Sequence, residues 1–346
     1  MNVKAIKYTT PFIVYLLAWL SFTQNGWWCW LALLYAWVLI PLTELVLKPD
    51  AANMEAAEEE MAKKDSTYDY ILYGIVLLQY PALIFFLYSM QENNLANTDI
   101  VARVLTMGLL CGTFGINVGH ELGHRTNKME QFMAKALLLT SLYMHFFIEH
   151  NKGHHKHVAT PNDPSSAPYG QSLYAFWVRT ITGTYSSAWQ IAADDLKKQG
   201  LTALHWKNEM LQFQIIQLLF VLGIYFAFGG MITLYFIGAA ITGFLLLETV
   251  NYIEHYGLQR KQTADGKFER AMPAHSWNSN HVIGRLMLFE LSRHSDHHYL
   301  ASRKYQILRH HNDAPQMPTG YPGMMILSLF PPAWFYVMHK QIKKYQ

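Results

Sequence analysis

An all-α integral membrane protein, with about six spans beneath a polar, histidine-rich cap, is the fold that the 346-residue sequence predicts. Three observations predict it. The chain is 51% hydrophobic and 14% aromatic, and these residues fall in long runs rather than in the 3.6-residue stripe of a soluble amphipathic helix. Short polar turns join the runs in pairs. Ten of the seventeen histidines crowd into four short boxes of the polar remainder.

A spanning helix needs about 20 mostly apolar residues. Six segments qualify, at about 6–23, 27–47, 69–90, 98–118, 211–228 and 231–252, and the turns Gln24-Asn25-Gly26, Gln91 to Asn97 and Gly229-Gly230 pair them. The first run is not read as a cleaved signal peptide, because a second follows at once with no small-residue cleavage site between. The apolar segment Gln131 to Ile148 separates two histidine boxes that must reach one site. A full crossing would strand them on opposite sides of the membrane, so a short interfacial or re-entrant helix is expected. Phe330 to Met338 is too short to span and is expected to dock on the bilayer surface, with Trp334 and Tyr336 at headgroup level. Trp27, Trp28, Trp30 and Trp37 are expected in an interfacial belt rather than along a channel.

Charge sets the expected orientation. The tight turns carry no Lys or Arg, whereas the termini (Lys4, Lys340, Lys343, Lys344), the first long loop (Lys48, Lys63, Lys64) and the polar regions carry nearly all of it, which places termini and boxes in the cytoplasm. Arg103 is discordant and is expected to snorkel to the interface. A formal charge of +3 with interleaved signs gives no support for nucleic-acid binding. Cys29 and Cys111 fall within expected spans and lack zinc or redox spacing, and Glu55 to Glu60 reads as a solvated helical face. The whole chain, 1–346, is read as one domain whose cap comprises about 120–209 and 254–320.

Chemistry resides in four boxes: HELGHR from His120, EHNKGHHKH from Glu149, NYIEHYG from Asn251 and RHSDHH from Arg293. His120 and His124 stand four apart, His150 and His154 likewise with His155 beside them, and His294, His297 and His298 lie at i, i+3 and i+4. On helices each set shares one face. Imidazole suits zinc, copper, iron and nickel, so histidine alone does not select the metal. A catalytic zinc takes three protein ligands, whereas these boxes with His255 supply nine, too many for one ion and about right for two. Glu121, Glu149, Glu254 and Asp296 adjoin these histidines and are the carboxylates expected to balance charge and orient the rings. His157, His275 and His281 are expected to hydrogen-bond rather than ligate, and His145, His205, His310, His311 and His339 to lie at the interface or surface. His120-Glu121-Leu122-Gly123-His124 also matches the HExxH of zinc metalloproteases, a reading that leaves the other boxes without a role.

The motifs HELGHR, FFIEHNKGHHKHVATPNDP, NYIEHYGL, HSWNSNH, RHSDHH and PTGYPG, in this order behind apolar hairpins, closely resemble the bacterial membrane-bound alkane 1-monooxygenases, which are related to xylene monooxygenase and more distantly to fatty-acid desaturases. The resemblance covers nearly the whole chain. It implies two non-haem iron ions held by His120, His124, His150, His154, His155, His255, His294, His297 and His298, with O₂ as co-substrate. It further implies terminal hydroxylation of an alkane drawn from the bilayer of the bacterial inner membrane, with electrons from rubredoxin and its reductase. Arg125, Lys128, Lys152, Lys156, Arg260, Lys261, Arg303 and Lys304 are expected to offer such a donor basic contacts. Hydroxylation or desaturation of an alkyl aromatic or fatty acyl chain is the nearest alternative. The chain departs from the family at Leu291-Ser292-Arg293, at Tyr299-Leu300-Ala301 and at Glu44, where an aspartate is expected.

Overall fold

The computed structural model of the chain describes residues 3–345. Among the described residues six helices are long and apolar enough to cross a membrane: α1 (Lys4–Thr23), α2 (Gly26–Val46), α4 (Thr67–Ser89), α5 (Asn97–Gly123), α9 (Glu209–Phe228) and α10 (Gly230–His255), with the short α3 (Ala56–Lys64) after the first pair. Among the described residues no strand forms, and two isolated bridges, Gln262–Phe268 and Asn278–Gln316, are the only β pairings. Helix α5 is the most buried span, whereas α9 turns Ile215, Leu218, Leu219 and Phe226 outward, the surface that lipid accepts.

Helices α5 and α10 cross closely because glycines face each other. A Cβ on Gly243 would stand 2.7 Å from the Cβ of Cys111, and one on Gly112 would stand 2.7 Å from the Gly243 carbonyl. Small residues at such a crossing let the backbones approach where lipid offers no hydrophobic drive. At the other end of α5, Arg103 is fully buried, and its long side chain reaches the turns that join the spans. Its guanidinium donates to the carbonyls of Ser89 and Gln24 and pairs with Glu92, so the turns themselves satisfy the charge.

The segment after α5 does not cross the bundle. Helix α6 (Lys128–Leu139), capped by the Asn127 side chain, packs back along α5, turns at 140–145, and returns as α7 (146–157). Non-helical backbone is tolerated at such depth only when protein satisfies it. Here Cys111 Sγ lies 3.4 Å from the Thr140 carbonyl, Gln79 donates to Thr140 Oγ1, Gln217 accepts from Met144 N, and Tyr143 donates to Glu248 at 2.7 Å. Leu142 takes the left-handed conformation, φ 52°, that closes the turn.

Helix α8 (Leu173–Lys197) is not separable from the cap by apolarity, since one face only is buried. Leu173, Phe176, Thr180, Thr184, Ala188, Ala192 and Leu196 recur every three or four residues, and Tyr174, Val178 and Tyr185 point outward. Four shorter helices complete the cap: α11 (Val282–Met287), α12 (His294–Tyr299), α13 (Tyr321–Ser328) and α14 (Pro331–Ile342). In α14 Tyr336 is exposed, whereas Trp334, also expected at headgroup level, is fully buried against Tyr252 and Tyr256 at 5.1 and 5.3 Å between ring centroids. The i, i+4, i+8 stripe of Trp334, Met338 and Ile342 makes that face core.

Candidate metal centre

Nine imidazoles from four helices meet as two sets. His120, His124, His150, His155 and His297 form one, and His154, His255, His294 and His298 the other, with the ligand atoms of each set within 4.8 Å of one another. The neighbouring Nε2 atoms are 2.9 Å apart for His120 and His297, 3.1 Å for His297 and His155, 3.0 Å for His155 and His150, and 3.1 Å for His150 and His124. In the second set the steps are 3.1 Å from His154 to His298, 2.9 Å to His294 and 3.2 Å to His255.

The second box departs from the expected shared face for a local reason. Residues His150–His154 form a π-turn, whose wider i→i+5 spacing brings His150 and His155 to one set and swings His154 to the other. In α12 the ordinary α-spacing has the same consequence: His294 and His298, four apart, share one set, and His297 serves its neighbour. Thus α7 and α12 each contribute to both sets.

The donor set fits a pair of metal ions. Nitrogen ligands about 2.0–2.1 Å from a cation and at right angles lie about 3 Å from each other, the spacing found here. Without a cation, several lone pairs would face one another in a dry site. Burial pushes His124, His150, His155, His294, His297 and His298 well below the usual imidazole range, and neighbouring rings add to the shift, so they are neutral, as metal ligation requires. For His154 burial also lowers the pKa, but the Asp163 carboxylate outweighs it and the net shift is upward.

Asp163 is a carboxylate that sequence reasoning misses. Its Oδ2 accepts from His154 Nδ1 at 2.9 Å and from Ser166 Oγ at 2.5 Å, which fixes the tautomer that points Nε2 at the cluster. It sits in Thr160-Pro161-Asn162-Asp163-Pro164, whose composition signals only a turn, nine residues from the histidine it orients. Among the expected carboxylates, Glu254 Oε2 lies 3.1 Å from His294 Nε2, on the metal-facing side. Asp296 is held by Arg303 at 2.7 Å and by His311, and stands behind α12. Glu149 touches Ser187 at 3.5 Å, and burial, with Asp163 adding, pushes its carboxyl up to about 8. Glu121 accepts from Arg125 at 2.6 Å and from Tyr305 N at 3.2 Å, so it is turned away from the role of a base that the HExxH reading would give it.

His157, His275 and His281 belong to neither set. His275 Nδ1 accepts from Met272 N, and His281 Nδ1 lies 3.0 Å from Ser279 Oγ. His145, expected at an interface or surface, is buried between Tyr143 and Tyr185. The departures from the family pattern are structural joints: Ser292 donates to the Ser279 carbonyl at 3.0 Å, and Glu44 accepts from Gly284 N at 2.7 Å.

An apolar cavity of about 80 Å³ is lined by His120 of the five-histidine set together with residues such as Phe114, Leu246, Met287 and Leu291. A second cavity, of about 570 Å³, lies between α2, α8, α10 and α13. Trp37, Leu246 and Met325 line both. Trp30 and Trp37 line the second cavity; among the four tryptophans only Trp27 and Trp28 are well exposed.

The chain is similar to known proteins over most of its length. The family model for the fatty acid desaturases matches residues 99–328. Alkane 1-monooxygenase 2 of Pseudomonas aeruginosa is 41% identical over 92% of this chain and 85% of its own length. The alkane 1-monooxygenase of Acinetobacter baylyi is 37% identical over 88% and 74%, respectively. The xylene/toluene monooxygenase hydroxylase component XylM of Pseudomonas putida is 27% identical over 93% and 84%. With its spans, its boxes and these extended matches, the chain belongs to the fatty acid desaturase family and, within it, to the alkane 1-monooxygenases.

Proposed function

We propose that the protein hydroxylates the terminal carbon of an alkane with O₂, at two iron ions held by the five- and four-histidine sets. The observation that carries this reading is the convergence of nine imidazoles, one of which, His120, lines an apolar cavity. The overall balance is alkane, O₂, two electrons and two protons to 1-alkanol and water. When bound, the irons supply the O₂ chemistry that no side chain can perform on an unactivated C–H bond. The chain supplies placement. The lipid-flanking cavity admits the apolar substrate past Trp37, and the inner chamber excludes water and presents one chain end to His120. Asp163 holds the His154 proton on Nδ1.

The basic residues support a cytoplasmic cap and inner-membrane topology, with a rubredoxin and its reductase as electron source. Four of the eight expected docking charges are engaged internally: Arg125 with Glu121 and Asp69, Lys152 with Asp195, Arg303 with Asp296, and Lys304 with Asp69. Arg260 also donates to the backbone carbonyls of Glu269 and Lys156, so the contact narrows to Lys128, Lys156 and Lys261. Cells expressing the chain with a rubredoxin system, given n-alkanes, fatty acids and alkyl aromatics under ¹⁸O₂, test the proposal. A labelled 1-alkanol is expected. An unsaturated product without label would instead identify a desaturase.

A further inference from the structure

The inner cavity is apolar apart from one stripe. Besides Trp37, the only lining residues with nitrogen- or oxygen-bearing side chains are Thr113, Asn117 and His120, and they stand at i, i+4 and i+7 along α5, on one helical face. The stripe begins in a π-turn, Cys111–Ile116, a distortion that often marks functional positions. Asn117 is oriented by its neighbour. Its Nδ2 donates to the Leu288 carbonyl at 2.9 Å, and since a carbonyl only accepts, the amide cannot be reversed. Its Oδ1 is left as an acceptor to which no group among the described residues donates.

An alkane has no use for such an acceptor. Its 1-alkanol product has one O–H, created beside His120. At about 1.5 Å per residue, Asn117 lies about 4.5 Å and Thr113 about 10 Å back along the helix from His120. We infer that Asn117 receives the hydroxyl of the primary alcohol as it leaves the metal end, and that Thr113 is the next polar position on its way out. Asn117 Oδ1 accepts the product O–H, and Thr113 Oγ1 can accept or donate. A hydroxyl moving through an apolar chamber otherwise loses its hydrogen bonds altogether, and the stripe offsets that loss, whereas an alkane can form no hydrogen bond with it.

This inference rests on the hydroxylase reading, and the test keeps the two apart. The protein in lipid nanodiscs is loaded with a radiolabelled n-alkane, which is displaced with either unlabelled n-alkane or the 1-alkanol of equal length. In wild type the alkanol competes more strongly than loss of its alkyl contacts alone would predict. Asn117→Ala is expected to weaken alkanol relative to alkane about three- to tenfold, as one net hydrogen bond implies, with product inhibition relieved in proportion. Thr113→Val, equal in shape but without the hydroxyl, is expected to shift the ratio the same way and decides the matter if Asn117→Ala does not accumulate. Equal loss of alkane and alkanol affinity would mean a structural role and overturn the inference, as would an unchanged ratio. Failure of the wild type to oxidise any alkane would strike the hydroxylase reading itself.

Discussion

His255 stands outside the three dense boxes yet its Nε2 lies 3.2 Å from that of His294. His255→Ala should therefore remove the ion of the four-histidine set while sparing the other, read as metal content of the purified protein; His157→Ala should leave both. Asp163→Ala should lower metal affinity of the same set about tenfold to a hundredfold, because His154 loses the partner that fixes its tautomer. His145 provides a pH test. Burial holds its pKa near 4, below the unfolded value of about 6.5. A depressed histidine contributes stability above the unfolded value and loses it as pH falls toward the folded one. His145→Phe should thus flatten the fall in thermal stability between about pH 6.5 and 4, and an unchanged slope would show that other groups dominate. The nine imidazoles are legible in the sequence because histidines repeated at helical spacing in several boxes serve few purposes besides holding metal. Asp163 is not, since nothing in a turn between prolines signals which distant ring it will reach.

At the scale of elements, the spans are legible to within a few residues because apolar length alone specifies them. What apolarity does not encode is the π-turn at His150–His154, which decides how the second box is divided between the sets. Nor does it encode the destination of polar side chains inside the bundle: Arg103 ends on turn carbonyls, and Trp334 becomes core. The close crossing of α5 and α10 yields a direct prediction. Gly243→Leu would force a side chain into Cys111 and Gly112 and displace the helix carrying His120. Overpacking of this kind costs about 1–3 kcal/mol, and the variant should melt at lower temperature and lose activity together. Retained stability would mean that the crossing has slack.

Over the whole molecule, two apolar cavities share Trp37, Leu246 and Met325 as lining, and the inner one reaches His120 of the five-histidine set. Charge distribution alone supports the sidedness, so a cysteine introduced at Lys156 should be labelled from the cytoplasmic side only, and labelling from the periplasm would reverse the topology. The central claim is that five and four histidines hold two separate ions. Metal analysis with X-ray absorption on purified wild type, His124→Ala and His255→Ala tests it most directly. The account predicts two irons per chain in a nitrogen-rich shell for the wild type, and one iron in each variant. A single ion in the wild type, or loss of both ions from either variant, would contradict the division into two sets.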